Sequence, residues 1–111
     1  MASYSLKRMT NPTQLGTSAT LVYTVGASTT AVVKEIVVAN VSASASSISI
    51  HFVPSGGATS NSNLMFSGVQ VSANSTLVFD LNQVLSAGDT IHAFAGNSSA
   101  VNVMISGYEV A

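Results

Sequence analysis

Apolar and polar residues alternate most clearly in the stretch from Thr76 to Phe94. In its first part, every second residue is apolar: Leu77, Phe79 and Leu81. This period of two predicts a strand with one buried face. A short segment at 84–85 is expected to return to apolar contact. Residues 87–89, Ala-Gly-Asp, predict a turn, because glycine relaxes the backbone and the Asp carboxylate accepts hydrogen bonds from nearby amides. Residues 90–94 then predict the next strand.

Other segments show the same alternation or a run of β-branched residues. They are residues 3–9, 20–25, 31–39, 47–52, 64–71 and 101–105. Residues 31–39 form the longest β-branched run, which predicts a central strand. Asn11-Pro12 predicts the end of the first strand, and Gly68 predicts a bulge or bend. Because no stretch keeps a 3.6-residue period, we expect an all-β sandwich or jelly roll with eight or nine short antiparallel strands and almost no helix.

The length and uniform composition predict one β-sandwich domain over residues 1–111. Residues 1–12 are expected to form an N-terminal arm or an edge strand of this domain. A chain of this size buries roughly 65% of its extended surface, so it can form a packed core. The sequence has no cysteine, which excludes disulfide bonds and thiolate metal sites. Stability must therefore come from packing or from oligomerisation.

The scarcity of charge is the feature of the composition that most affects the functional interpretation. Asp, Glu, Lys and Arg make up 6% of the residues, against about 25% in an ordinary soluble domain. They are Lys7, Arg8, Lys34, Glu35, Asp80, Asp89 and Glu109. A net charge of −1 gives little self-repulsion, so the surface suits a protein packed into an assembly or one that works outside cells. The alternative is a Ser-, Thr- and Ala-rich β protein that happens to be poor in charge.

The sequence argues against membrane and nucleic-acid partners. Residues 1–10 lack an apolar core long enough for a signal peptide, and no apolar run approaches the roughly 20 residues of a membrane span. We therefore expect a protein made in a cytoplasm and not exported by a signal peptide. Binding to nucleic acid needs several Lys or Arg side chains for the phosphates, and here only Lys7 and Arg8 are adjacent.

No motif for catalysis, metal binding or cofactor binding occurs in the sequence. His51 and His92 are the only histidines, and neither has another histidine two residues away, as metal-binding jelly rolls usually do. The alternation around each histidine places both on an outer or interface face. A catalytic triad using Asp80 or Asp89 would have to assemble in space and is a remote alternative. We expect no enzyme activity, no bound metal and no cofactor.

Several segments together resemble a group of small accessory structural proteins of tailed bacteriophages. The segments are Leu15, residues 23–25, 33–40 and 53–57, and residues 85–91, Leu-Ser-Ala-Gly-Asp-Thr-Ile. The resemblance extends over most of the chain, and its motifs are turns and strand cores. It implies a β-sandwich module that coats a capsid as a cement or decoration protein, or serves as a small tail or fibre component. It also implies a homotrimer or another symmetric oligomer, located in the virion.

The leading hypothesis is a non-enzymatic phage capsid cement protein assembled in the host bacterial cytoplasm. It would stabilise the head by oligomerising and by contacting the major capsid protein or other virion proteins. Apolar and Ser/Thr-rich faces would be buried between subunits, and the N-terminal segment would add a strand to a neighbour. The residues predicted to make assembly contacts are Tyr4, Leu6, Lys7, Arg8 and Met9 in the arm, with Met65 and Phe94 as apolar anchors.

Two alternatives belong to different functional classes. The first is a tail-fibre or baseplate module that binds a host receptor or glycan through loops at one end, namely residues 56–63 with Asn97 and Ser98. The absence of Trp and the scarcity of charge count against a strong sugar site. The second, more remote, is a small jelly-roll enzyme that uses His51 or His92.

Overall fold

The computed structural model describes residues 3–111 as eight β-strands in two four-stranded sheets. The strands are β1 (Tyr4–Gln14), β2 (Thr20–Thr24), β3 (Thr30–Asn40), β4 (Ser46–Val53), β5 (Leu64–Val71), β6 (Thr76–Leu85), β7 (Thr90–Ala95) and β8 (Val101–Val110). A single 3₁₀ turn, Asn61–Asn63, is the only helical element in the described part of the chain. This confirms the all-β prediction.

The order of the strands is that of a jelly roll. Sheet A has the order β1-β8-β3-β6, and sheet B has the order β2-β7-β4-β5. The first strand thus pairs with the last, the second with the seventh, the third with the sixth and the fourth with the fifth, all antiparallel. A hairpin of four strand pairs rolled in this way gives the double Greek key. Backbone hydrogen bonds of 2.9 Å between Ser3 and Ala111 hold the two ends of the described chain together.

The core lies between the two sheets and consists of the inward-facing side chains of their strands. In β3 the buried positions alternate with partly exposed ones and shift phase once, at a bulge between Val33 and Glu35. β3 lies between β8 and β6, so it is internal to sheet A, as its β-branched run predicts. The largest fully buried side chains are Leu15, Ile36, Ile48, Ile50, Ile91 and Ile105, joined by Val25, Val33, Val38, Val53, Val71 and Val101.

Two strands continue past the point where the sequence suggests a break, each for its own physical reason. β1 does not end at Asn11-Pro12 but continues to Gln14, with register shifts between Arg8 and Thr13. β1 is at the edge of sheet A, where proline needs no ladder partner for its missing N–H. Likewise β6 runs on to Leu85, because an irregular register opposite the β3 bulge absorbs the break in its alternation.

Polar side chains link the sheets at the edge formed by β1 and β2. The Tyr23 hydroxyl, in sheet B, donates a hydrogen bond to the Glu109 carboxylate in sheet A. Burial, and then the hydrogen bond and the negative charge of Glu109, raise the pKa of Tyr23 well above its ordinary range. Lys7 lies 3.9 Å from the same carboxylate. The Thr10 hydroxyl donates to the Val22 carbonyl at 3.0 Å. Hydrogen bonds and an ion pair therefore hold the two sheets together at this edge, in addition to packing.

The turn predicted at 87–89 is confirmed, and it also anchors a neighbouring loop. Gly88 has a φ of +84°, the left-handed region that favours glycine. The two carboxylate oxygens of Asp89 accept from the backbone N–H groups of Ser55 and Ser86, each at 2.9 Å. Asp89 thus joins the loop after β4 to the turn before β7. The bulge predicted at Gly68 is also present, and the Gly68 N–H donates to the Ser49 hydroxyl at 2.9 Å.

Replacing Gly107 with alanine should strongly destabilise the protein. A Cβ at this position in β8 would lie 2.0 Å from the Val32 carbonyl oxygen of β3, and that backbone atom cannot move without breaking the ladder. We expect a loss of about 2–3 kcal/mol in the free energy of unfolding, measured by denaturant titration. Gly16→Ala is the matched control, because a Cβ at Gly16 meets no atom within 4 Å. A Gly107→Ala protein as stable as the control would contradict this packing.

Candidate assembly surfaces

The sheet A outer face, meaning the side of sheet A that points away from sheet B, carries a continuous row of apolar side chains. Cross-strand register places Leu6 beside Tyr108, Tyr108 beside Val32, and Val32 beside Val84, so the row crosses all four strands. Leu6 is 92% exposed and Val84 is 57% exposed. Tyr4, 73% exposed, extends this apolar surface, with its ring 6.3 Å from that of Tyr108.

A second apolar row lies further along the same face. Register pairs Met104 with Val37 and Val37 with Val78. An open cleft of about 220 Å³ runs beside this row, lined by Pro12, Val37, Ala39, Asn102, Val103 and Met104. The Asn102 Oδ1 is buried beside this cleft and has no hydrogen-bond partner among the described residues. A buried acceptor without a donor is unfavourable, so this region is suited to being covered by polar as well as apolar groups.

A band of charged residues separates the two apolar rows. Register places Arg8 beside Ser106, Ser106 beside Glu35, and Glu35 beside Asp80. Lys34, in the β3 bulge, donates a hydrogen bond to the Asn82 side chain. Four of the chain's seven charged residues (three Lys and Arg plus four Asp and Glu) are therefore on or beside one band of one sheet. Within residues 3–111, none of these four forms a salt bridge within 4.0 Å; the salt bridge there joins Lys7 to Glu109.

The sheet B outer face has a different character, because no Asp, Glu, Lys or Arg occurs in β2, β7, β4 or β5. His51 and His92 are directly opposite each other on β4 and β7, on this outer face, as the alternation predicted. Leu21 of β2 is opposite His92 and is 53% exposed. Phe94 is half-buried, with its ring centre 6.0 Å from that of His51.

His51 is buried although it lies on an outer face, because the segment after β4 folds over it. Its Nδ1 lies 2.8 Å from the Asn63 Oδ1, which can only accept, so Nδ1 carries the proton. The same Asn63 side chain donates to the Ala58 carbonyl at 2.9 Å and accepts from the Ser60 N–H at 3.1 Å. Asn63 therefore holds the loop against sheet B. The sequence showed no signal for this contact, which joins a strand residue, His51, to the loop through the Asn63 amide.

The environment of His92 disfavours its charged form. Burial lowers the pKa of His92, and the neighbouring His51 lowers it further by charge repulsion. Thr90 Oγ1 lies 3.4 Å from the His92 Nδ1. Among residues 3–111, the side chains that hydrogen-bond to the two imidazoles are Asn63 and Thr90, neither of which is a carboxylate. The geometry thus lacks the acid that would orient a catalytic histidine.

The five predicted contact residues of the N-terminal arm are not all on one surface. Tyr4, Leu6 and Arg8 are on the sheet A outer face. Lys7 is exposed at the sandwich edge, close to the carboxylate of Glu109. Met9 is 7% exposed and belongs to the core, so it is not available for contacts with another molecule. Alternation from Tyr4, Leu6 and Arg8 on the outer face already places Met9 inward, and the β1 bulge after Arg8 turns Thr10 inward as well, opposite Ile105.

The two predicted apolar anchors lie on separate surfaces. Met65 is 60% exposed and lines an open cleft of about 230 Å³ between the sheets. The other residues of this cleft are Phe52, Val53, Pro54, Gln83, Val84, Leu85 and Asp89. Phe94 is on the sheet B outer face, beside the two histidines.

Six outward-facing apolar residues of sheet A outside the N-terminal arm were not predicted as contact residues from the sequence. They are Val32, Val37, Val78, Val84, Met104 and Tyr108. The sequence did contain a signal for this surface. Several strands with an apolar inward face also carry apolar residues at outward positions.

The loops proposed for a glycan site do not meet. The backbone of Ser55 bonds to Asp89, just before β7 begins, whereas the Ser46 hydroxyl at the start of β4 donates to Asn97, just after β7 ends, at 3.0 Å. The loop containing residues 56–63 and the turn containing Asn97 are therefore at opposite ends of β4, which spans about 23 Å at the usual rise per residue. The prediction of one site at one end was wrong.

Residues 3–111 contain no group of three or more His, Asp or Glu side chains placed to hold a metal ion. Within the same residues, no helix is long and apolar enough to cross a membrane.

The fold is similar to parts of two viral proteins. A chain from the structure of infectious bursal disease virus, Gx strain, matches 98% of this chain with a TM-score of 0.54 and 9% sequence identity. A chain from the Gt strain matches 98% of this chain with a TM-score of 0.50, also at 9% identity. This protein spans 31% of the length of each of those chains. At such low identity the likeness shows a shared fold. No protein family and no curated protein matches the sequence.

The stability of the protein should fall as the pH drops through about 6.5, the ordinary pKa of histidine. Because the pKa of His92 is lowered in the folded state, the unfolded chain takes up its proton first, which favours unfolding below that pH. Above that pH this contribution to stability is fully present. The measurement is the free energy of unfolding between pH 7.5 and pH 5, compared with that of His92→Gln. Parallel curves for the two proteins would contradict the assignment.

Proposed function

We propose that this protein is a structural component of a virus particle and has no enzymatic role. The observation that carries the proposal is a jelly roll whose two outer faces are rich in apolar and uncharged side chains. A free monomer with such faces and a net charge of −1 has little protection against association. In an assembled shell or tail the same faces are buried. The shared fold with chains of a virus particle supports this proposal.

The more specific proposal is a capsid cement or decoration protein of a tailed bacteriophage, made in the host cytoplasm and located in the virion. Its support is the sequence resemblance, which includes the strand core at 33–40 and the turn at 85–91. The chain would act as a single domain over residues 1–111. It would bind the major capsid protein as a symmetric homo-oligomer, and the resemblance implies a homotrimer.

Docking would use the faces of the sandwich more than its free edges. Leu6 on the sheet A outer face and Leu21 on the sheet B outer face are exposed leucines that no contact in the described chain explains. Burying one such side chain stabilises a contact by about 1.5–3 kcal/mol. The N-terminal segment forms β1 on its own sheet, so addition of that strand to a neighbour would use its remaining edge. Pro12 and the two bulges make that edge a poor template.

The test is co-sedimentation of the purified chain with empty capsids of the phage that encodes it, followed by heating of the decorated capsids. We expect the chain to pellet with capsids and to raise the temperature at which they rupture. Leu6→Asp and Leu21→Asp each place a charge on one outer face, and at least one should weaken binding about tenfold or more. Thr17→Asp, on an exposed loop, is the control and should bind normally.

A chain that leaves capsids unbound but adheres to host cells would overturn the cement proposal and favour a tail module. Binding equal to that of Thr17→Asp for both leucine variants would show that neither outer face is the docking surface.

A further inference from the structure

We infer that the sheet A outer face binds the same face of a second copy of this chain. The two copies are related by a twofold axis that lies in the interface, runs parallel to the strands and passes between β8 and β3. This inference deepens the proposed function by naming a self-association surface, but it stands on the order of side chains across sheet A. It can therefore be tested without a virus particle.

The first observation is an unbalanced pair of carboxylates. Glu35 and Asp80 are directly opposite each other on adjacent strands of the charged band. Like charges in this arrangement destabilise a sheet, and no Lys, Arg or His within residues 3–111 lies within 4.0 Å of either carboxylate. Lys34 is adjacent in the chain, but its ammonium group bonds to the Asn82 amide oxygen. The structure thus presents two negative charges to whatever covers this face.

The second observation is that the matching cation is at the opposite end of the same band. Arg8 is on β1 and Asp80 is on β6, three strand spacings or roughly 14 Å apart. Arg8 therefore cannot pair with Asp80 of its own chain, and its guanidinium Nη1 instead lies 3.3 Å from the exposed Asn11 side chain. The band is therefore positively charged at the β1 edge of sheet A and negatively charged at the β6 edge.

A twofold axis parallel to the strands exchanges the two edges. It places β1 of one copy over β6 of the other and β8 over β3. Arg8 then faces Asp80 of the second copy, and Ser106 faces Glu35 of the second copy. By symmetry each contact occurs twice, as in any isologous interface. Sheets pack face to face at about 30° rather than exactly aligned, and the long Arg side chain spans the resulting offset.

The same rotation matches the apolar rows with each other. Leu6 faces Val84 of the second copy, and Tyr108 faces Val32 of the second copy. In the other apolar row, Met104 faces Val37 of the second copy. Apolar rows thus cover apolar rows, and the charged band covers the charged band. These six exposed or half-exposed apolar side chains lose water contact together, which is the main driving force of such association.

The alternative twofold arrangement fails on charge. An axis running across the strands along the charged band would place Arg8 over Arg8 and Asp80 over Asp80 of the second copy. Like charges brought together at an interface strongly disfavour association. The order of charges in the band therefore selects the axis parallel to the strands.

The size of the face suits a specific but modest interface. Four strands at about 4.8 Å spacing and five cross-strand rows at about 6.8 Å give roughly 650 Å² per copy. About 1,300 Å² in total is near the lower limit for a specific protein contact. Pairing through the β1 edge is the competing arrangement, and Pro12, the bulges and the adjacent cations Lys7 and Arg8 disfavour it.

A face related by a twofold axis joins chains in pairs, so a homotrimer would have to use another surface. The charge-free sheet B outer face remains open in the pair, as does the edge near Met65. If both contacts form, the assembly contains an even number of chains. If the twofold contact alone forms, the solution species is a dimer.

The test is a charge exchange across the proposed contact, with the mass in solution measured by light scattering. The wild-type chain of 11.2 kDa should give a species built from pairs of chains at concentrations of about 100 μM, as expected for a modest interface. Arg8→Asp and Asp80→Arg each bring two like-charge pairs together and should weaken pairing about a hundredfold. The double variant Arg8→Asp with Asp80→Arg restores both pairs in exchanged orientation and should pair again.

Lys7→Gln is the matched control, because it removes an adjacent charge on the same strand but at the sandwich edge. It should pair like the wild type, and circular dichroism should show all four variants folded. A monomeric wild type, a trimer unaffected by either reversal, or a double variant that fails to pair would each overturn the inference. Pairing that requires added Ca²⁺ would also overturn it, because a metal ion rather than Arg8 would then balance the carboxylates. None of these results depends on capsid binding, which tests the virion role separately.

Discussion

The packing of two apolar sheet faces against each other is the constraint on which the rest of this structure depends. Each strand buries every second side chain, and the chain has no cysteine and few charges that could stabilise it otherwise. Rolling the chain into four antiparallel pairs closes both sheets over one core. Strand bulges follow from the same constraint. Where β3 changes phase at Val33, the ladder adjusts so that Ile36 still points inward.

The few polar contacts that link separated parts of the chain lie at the sheet edges and loops, outside the apolar core. Tyr23 and Glu109 join the two sheets at the β1–β2 edge, where strands of different sheets come close. Asp89 satisfies two backbone amides of facing loops. Asn63 holds the loop after β4 onto His51. Each of these side chains links a loop or a sheet edge to another part of the chain, so a chain poor in charge uses several of its polar residues for structure.

The remaining charges are distributed differently, and that distribution connects the fold with assembly. Four of the seven charged side chains lie in or beside one band across sheet A, with Arg8 at one edge and Asp80 at the other. Sheet B has none. The order of charges on the sheet A outer face therefore suits pairing with the same face of a second copy. The sheet B outer face offers an uncharged surface to a different neighbour. A jelly roll provides these two faces because its sheets lie back to back.

The sequence alone determined the strand class, most strand positions, the turn at Gly88, the bulge at Gly68 and the outward placement of both histidines, because these depend on local alternation and backbone preference. The tertiary structure decided what long-range pairing controls. It extended β1 past Pro12 because that strand is at an edge, turned Thr10 inward beside Met9 at a bulge, and separated the loop at 56–63 from Asn97. It also brought Glu35 beside Asp80, residues that are 45 positions apart (80 − 35) in the chain. Periodicity specifies the face on which a side chain lies, but strand order and register specify its neighbours, and these emerge only when the sheets assemble.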